Sequence, residues 1–193
     1  MELKGSETEK NLLKSFAGES QARNRYTYFA SVAKKEGYEQ ISAIFTETAD
    51  NEKEHAKIFF KYLKESKGRD LEITTTYPAG KISTTEENLL AATEGEKAEH
   101  SAIYPEMKKI AQQEGFKEIA ISFQEIAEVE EQHEKRYRKL LENIKHKEVF
   151  KRDKEVLWKC RNCGYIHKGK TAPEICPACK HPQTYYELLC ENY

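Results

Sequence analysis

Two Glu-x-x-His pairs, Glu52 with His55 and Glu130 with His133, are the residues of this chain best spaced to hold metal. Residues three apart on an α-helix share a face, so each carboxylate and imidazole can reach one point. One further carboxylate from each of two other helices completes the donor set that helix bundles use for a pair of iron or manganese ions. The candidates are Glu19, in the step Gly18–Glu19, and Glu96, in the step Gly95–Glu96. A donor set rich in oxygen and poor in nitrogen favours iron or manganese over thiophilic metals. A single Glu-x-x-His is ordinarily a solvated helix face. Two of them in one repeat register, both on an apolar stripe, are not.

Four helices must position these groups, and the pattern places them at about 7–35, 38–65, 86–113 and 116–146. Ser6 with Glu9 and Thr84 with Glu87 read as capping boxes. Gly37 and Gly115 each separate two helical patterns and mark tight turns. On the second helix Ile41, Phe45, Thr48, Glu52, His55, Phe59 and Tyr62 recur at steps of four and three. On the fourth, Ile119, Phe123, Ile126, Glu130, His133, Tyr137 and Leu140 do the same. Those steps trace the buried seam of a bundle. An unpaired buried carboxylate is costly, so a positive charge has to meet these glutamates.

The bundle carries an internal repeat. Glu36, Gly37, Ile41, Phe45, Glu47, Ala49, Glu52 and His55 recur 78 residues later as Glu114, Gly115, Ile119, Phe123, Glu125, Ala127, Glu130 and His133. Tyr26 matches Tyr104 in the same register. The two halves are therefore expected to be hairpins related by a pseudo-twofold axis. One break in the symmetry is visible: Tyr26 follows Glu19 by seven residues, and Tyr104 follows Glu96 by eight. An extra residue in a continuous helix is absorbed as a π-bulge, often at a functional site. A bulge between Glu96 and Tyr104 is therefore predicted. It turns Glu99 inward as a seventh potential ligand, with Ala22 opposite. Tyr26 and Tyr104 are placed to donate hydrogen bonds to ligating carboxylates.

Between the second and third helices, KGRDLEITTTYPAGKISTT has no helical period. A connection this long inside a compact domain suggests one that crosses the bundle. A single long crossover is the ferritin-like form of the four-helix bundle.

The C-terminal segment differs in character. Cys160-x-x-Cys163-Gly and Cys176-Pro-x-Cys179 form two knuckles whose four thiolates make a tetrahedral site. The spacing does not separate iron from zinc, and a zinc ribbon is the commoner reading of it. Trp158, Tyr165 and Tyr185 are expected to pack round the site, and Cys190 to be an inert, half-buried thiol. VFKRDKEVLW reads as a short link. The domains expected are a bundle over 1–147 and a four-cysteine domain over 148–193, which needs its metal because it is too small for a large core.

Composition agrees. Lys+Arg is 32 and Asp+Glu is 33, a net charge of -1, which gives no basic surface for nucleic acid. No apolar run approaches the ~18 residues of a membrane span, and MELKGSETEK lacks the apolar core of a secretion signal. The expected compartment is the cytoplasm, where clustered cysteines serve metals rather than disulfides.

With both halves in view the chain resembles rubrerythrins, over nearly its whole length. The likeness lies in the Gly-Glu of helix 1, Glu52-x-x-His55, Gly95-Glu96-x-x-Glu99 with Tyr104-Pro105, Glu130-x-x-His133-Glu134, the CxxCG and CPxC knuckles and the Glu-Leu-Leu tail. The resemblance implies a mainly α protein, a ferritin-like bundle with two irons followed by a rubredoxin-like domain with one, zinc being a substitute in expressed protein. It implies peroxide scavenging in the cytoplasm of anaerobes and microaerophiles, with His55 and Glu99 exchanging as ligands between redox states. Electrons are implied to come from a rubredoxin or an NAD(P)H-dependent flavoprotein. A head-to-tail homodimer is also implied, with His181 linking the two centres. A ferritin-like ferroxidase or storage role shares the bundle but needs neither Glu99 nor the thiolate site. A zinc-ribbon adaptor leaves the buried glutamates unexplained.

Overall fold

A computed structural model describes residues 2–191. Five helices and three strands follow one another: α1 Glu7–Lys35, α2 Glu39–Tyr62, α3 Thr85–Ala98, α4 Tyr104–Gln113, α5 Lys117–Lys145, then β1 Lys151–Cys160, β2 Ile166–Thr171 and β3 Tyr186–Leu188. The predicted third helix is thus two, α3 and α4, joined by a π turn at Glu99–Ile103. The extra residue that breaks the repeat is taken up there.

The helix starts use only half of each predicted capping box. The Ser6 hydroxyl accepts from the Glu9 backbone N–H at 3.0 Å. The Glu9 carboxylate, however, reaches one residue further back to the Gly5 N–H at 2.7 Å and also takes Ser66 and Arg69, each at 2.5 Å. It thereby ties down the start of the crossover. Thr84 likewise accepts from the Glu87 N–H, while the Glu87 carboxylate turns to Ser83.

Both hairpin turns have the same build. Gly37 and Gly115 both sit at φ +83°, where a side chain is disfavoured. The next amide closes the helix in each case, Tyr38 N–H to Ala33 O and Phe116 N–H to Ala111 O, both at 2.8 Å. The glutamate before each glycine caps the other hairpin. Glu36 accepts from the Thr85 N–H at 3.0 Å, and Glu114 accepts from the N–H groups of Glu7 and Thr8 at 3.0 and 2.8 Å.

Apolar packing obeys the same pseudo-twofold. Tyr26, Phe45 and Tyr137 form one aromatic triad, with ring centroids 5.0–6.1 Å apart. Tyr104, Phe123 and Phe59 form the other, at 5.3–6.0 Å. Each member lies 78 residues from its counterpart, and all six are fully buried. The triads sit in separate core clusters. Between them run the seam positions that carry the carboxylates.

Residues 67–84 cross the bundle without helix or strand. Tyr77 fastens the crossover to α1, donating to Lys14 O at 2.5 Å. Its ring lies over Gly18, where an added Cβ would meet it at 3.5 Å.

The C-terminal unit is a three-stranded antiparallel sheet in the order β2-β1-β3. The segment read as a link is in fact most of β1. Trp158, Cys160, Ala172, Cys176 and Tyr186 form its small core. Tyr186, opposite Cys160 in the sheet, is the tyrosine buried there. Tyr165, expected to pack on the site, is exposed at its edge, and Cys190 is exposed rather than half-buried. The unit seats on the α1–α2 turn. A Cβ on Gly37 would lie 2.7 Å from the Thr184 methyl, and Tyr38 stacks on Phe150 at 6.3 Å. The fold is mainly α, a ferritin-like bundle followed by a rubredoxin-like domain. No helix among the described residues is long and apolar enough to cross a membrane.

Candidate metal centres

Helix periodicity delivers the bundle carboxylates to one level. Glu19 comes from α1, Glu52 and His55 from α2, Glu96 from α3, and Glu130 and His133 from α5. Two overlapping groups result: Glu19, Glu52, His55 and Glu130, and Glu52, Glu96, Glu130 and His133. Within each, the donor atoms lie within 4.8 Å of one another.

The two shared glutamates divide their oxygens between the groups. Glu52 Oε2 is 3.0 Å from His55 Nδ1, and its Oε1 is 3.2 Å from His133 Nδ1. Glu130 Oε1 is 2.9 Å from His55 Nδ1, and its Oε2 is 2.7 Å from His133 Nδ1. Glu19 and Glu96 stand further out, each on its own side, at 3.9 Å from His55 and 3.8 Å from His133. Two metal positions would therefore each have one imidazole and one carboxylate of their own, with Glu52 and Glu130 within reach of both.

The tyrosines secure the terminal pair crosswise. Tyr26 on α1 donates to Glu96 Oε1 at 2.7 Å, and Tyr104 on α4 donates to Glu19 Oε1. Glu99, in the π turn, is half-buried and belongs to neither group of four. Its charge is nonetheless felt by Glu19 and by both tyrosines.

These groups call for cations. Glu19 Oε2, Glu52 Oε1, Glu96 Oε2 and both oxygens of Glu130 are buried with no donor aligned on them. Burial and neighbouring carboxylates push Glu19 and Glu99 well above the usual range, and Glu96 up to about 8. Burial alone would raise Glu52 too, but the neighbouring His133 and His55 imidazoles bring it down to about 2. The histidines respond in the opposite sense. Burial lowers them, yet Glu130 and Glu52 carry His55 up to about 10, and Glu130, Glu52 and Glu96 carry His133 up to about 12. Protons on imidazoles and carboxyls do here what two divalent cations do better, so the residues fit a metal pair.

The four cysteines fit a single metal. Cys160 Sγ lies 3.7 Å from Cys179 Sγ, and Cys163 Sγ lies 3.7 Å from Cys176 Sγ. A tetrahedron with metal–sulfur bonds of about 2.3 Å has edges of about 3.8 Å. Each knuckle closes alike: Gly164 N–H donates to Cys160 O at 2.8 Å and Lys180 N–H to Cys176 O at 2.9 Å. Gly164 and Lys180 both take positive φ, +80° and +62°. The His181 N–H draws the Cys179 thiol down to about 6. The His181 ring stands at the rim, 4.7 Å from Tyr185, with Nδ1 3.2 Å from Cys179 O.

Some site neighbours carry no sequence signal. Tyr77 reaches Gly18 from a segment without period. His100 meets Glu134 at 2.6 Å across 34 residues. Tyr137 is visible only as a seam position, yet its buried hydroxyl has no hydrogen-bond partner among the described residues, where its repeat counterpart Phe59 has none to satisfy.

Known proteins place the chain. The rubrerythrin family profile matches residues 10–141, and the profile of the rubrerythrin, rubredoxin-like domain matches 158–187. The rubrerythrin of Porphyromonas gingivalis is 57% identical over 99% of this chain and 94% of its own length. That of Nitratidesulfovibrio vulgaris is 55% identical over 99% and 98%. A solved structure described as the fully reduced, all-ferrous state of nigerythrin superposes with a TM-score of 0.65, at 32% identity, over 96% of this chain and 87% of that one.

Proposed function

The chain belongs to the rubrerythrin family, with a di-iron carboxylate site in its bundle and a rubredoxin-like four-cysteine iron site behind it, and on that premise we propose that it reduces hydrogen peroxide to water. The observation that carries this reading is the sharing of Glu52 and Glu130 between two adjacent metal positions. Peroxide has two oxygens to be separated, and two electrons and two protons to be received. When bound, the reduced iron pair supplies the two electrons.

The chain's own residues do the rest. Glu52 and Glu130 set the spacing of the two positions, while Glu19 with His55 and Glu96 with His133 close the outer sides. Tyr104 and Tyr26 fix the terminal carboxylates, so that neither swings off as charge changes between them. Glu99, at the half-buried edge, would be the extra carboxylate available to take the place of His55 when the iron pair changes redox state.

Cys160, Cys163, Cys176 and Cys179 would hold the iron that supplies the returning electrons one at a time. Within one chain the four-cysteine unit meets the bundle at Gly37. Glu52 lies thirteen residues past Glu39 (52 − 39), about 20 Å along α2. That separation supports delivery from the four-cysteine site of a second copy, head to tail, with His181 at the junction. The donor in this reading is a rubredoxin or an NAD(P)H-dependent flavoprotein of the cytoplasm. The working units are the bundle, 1–147, and the domain 148–193.

The test is an anaerobic single turnover. The fully reduced, iron-loaded protein is mixed with one equivalent of hydrogen peroxide or of oxygen, and the visible band of the four-cysteine iron is followed. Fast return with peroxide and slow return with oxygen is the expected result. A faster reaction with oxygen moves the assignment to a ferroxidase. No visible response of the iron-loaded cysteine site removes the electron-transfer half of the proposal.

A further inference from the structure

The π turn at Glu99–Ile103 has no counterpart in α1, which runs unbroken past Glu19 and Tyr26. A π turn is rare and is poorly favoured by the backbone alone, so something outside the backbone has to keep it in place. One side-chain contact ties it to α5. His100 Nε2 lies 2.6 Å from Glu134 Oε2, and Arg138 holds the other Glu134 oxygen. An ionised carboxylate only accepts, so the imidazole N–H is the donor. The side chains of His100 and Glu134 are only 19% and 12% exposed. A charge-assisted bond so shielded is stronger than one in open water.

The clamp occurs only where the bulge occurs. Ala56 stands 78 residues before Glu134, and the exposed Arg23 stands 77 before His100. The first half of the repeat therefore has neither the turn nor the means to hold one. His100 follows Glu99, and Glu134 follows His133. Glu99 and His100 are adjacent in the π turn, so holding His100 on the α5 side restricts the backbone that carries Glu99.

We propose that His100 and Glu134 are positioning residues: their hydrogen bond pins the π turn to α5 and aims the Glu99 carboxylate at the metal pair. This rests on the reading of Glu99 as a ligand.

The test uses the full-length, iron-loaded protein with His100→Ala, Glu134→Ala and the donor-preserving His100→Gln, each alone and on a Glu99→Ala background. Three quantities are read: amide hydrogen exchange of residues 99–103, the midpoint potential of the di-iron site with that of the four-cysteine iron as internal control, and the rate of reoxidation by peroxide. Breaking the clamp is expected to speed exchange at 99–103 about tenfold, to move the di-iron potential but not the four-cysteine potential, and to slow reoxidation. His100→Gln restores most of each. On the Glu99→Ala background the clamp substitutions add nothing further to the rate. If they slow it by the same factor with and without Glu99, the clamp acts elsewhere and the proposal is overturned. It is also overturned, with the ligand reading intact, if Glu99→Ala is impaired while clamp variants leave exchange and potential unchanged. If Glu99→Ala behaves as the parent protein, the ligand reading itself falls and the aiming role with it.

Discussion

Tyr26 donates to Glu96 across the bundle at 2.7 Å, reaching from the first hairpin into the second. Its repeat counterpart Tyr104 returns the contact to Glu19. Each hairpin thus steadies the outermost carboxylate of the other. Replacing Tyr26 by Phe keeps the ring in its aromatic triad and removes only the donor. Second-layer partners of this kind are worth about 10–100-fold in metal affinity. The Tyr26→Phe protein is expected to bind the same number of irons with affinity lowered by about that factor, measured by competition with a chelator.

Stability of the metal-free protein is expected to fall as pH rises from about 5 to 9. The signs run together. Glu19, Glu96 and Glu99 have folded pKa values above the ordinary 4.5, and His55 and His133 lie above 6.5. The folded chain therefore holds protons that the unfolded chain releases, and each such group loses its contribution as pH climbs towards its folded value. Glu52, down at about 2, acts oppositely but only below about pH 5. Metals displace these protons, so iron-loaded protein should lack the decline. Thermal melts of both forms across this range decide it, and a metal-free Tm that climbs towards pH 9 would contradict this charge balance.

Gly37 and Gly115 allow the seating of the C-terminal unit to be isolated. Both have φ +83°, so alanine at either costs about 1 kcal/mol of backbone strain. Only at Gly37 does the new Cβ also meet Thr184, at 2.7 Å; at Gly115 nothing lies within 4 Å. Gly37→Ala is expected to be the more damaging and to hasten proteolysis near residues 146–151. Adding Thr184→Ala should bring it back to the Gly115→Ala level.

Glu114 and Glu36 do the same task with different numbers of donors. Glu114 serves the Glu7 N–H, the Thr8 N–H and the Thr8 hydroxyl, whereas Glu36 serves the Thr85 N–H. Loss of a helix cap costs about 1 kcal/mol, up to about 2 in strong cases. In urea unfolding, Glu114→Ala should fall at the upper end of that range and Glu36→Ala below it.

Much of this architecture is written in the order of residues. The 78-residue repeat, the seam that carries Glu52, His55, Glu130 and His133, and the surplus residue before Tyr104 follow from periodicity alone. So do the knuckles. Contacts that depend on where a side chain ends are not written there. Glu9 reads as half of a capping box, but its carboxylate has several N–H and O–H donors within reach and takes those that the fold brings near. Tyr165 and Tyr186 are equally aromatic, and only strand register puts the second opposite Cys160. Tyr77 lies in a stretch with no period, so nothing indicates that it will find Gly18. Whether Glu99 joins the donor groups or stands beside them is a matter of one torsion, which no spacing encodes.

The repeat has one more implication. A lone hairpin paired with its own copy would close a site with two identical ends, and any insertion in its helix would appear at both. Once the crossover makes the pair a single polypeptide, each end can change without the other. The surplus residue ahead of Tyr104 is such a one-sided change, and it makes the surroundings of one metal position unlike those of the other.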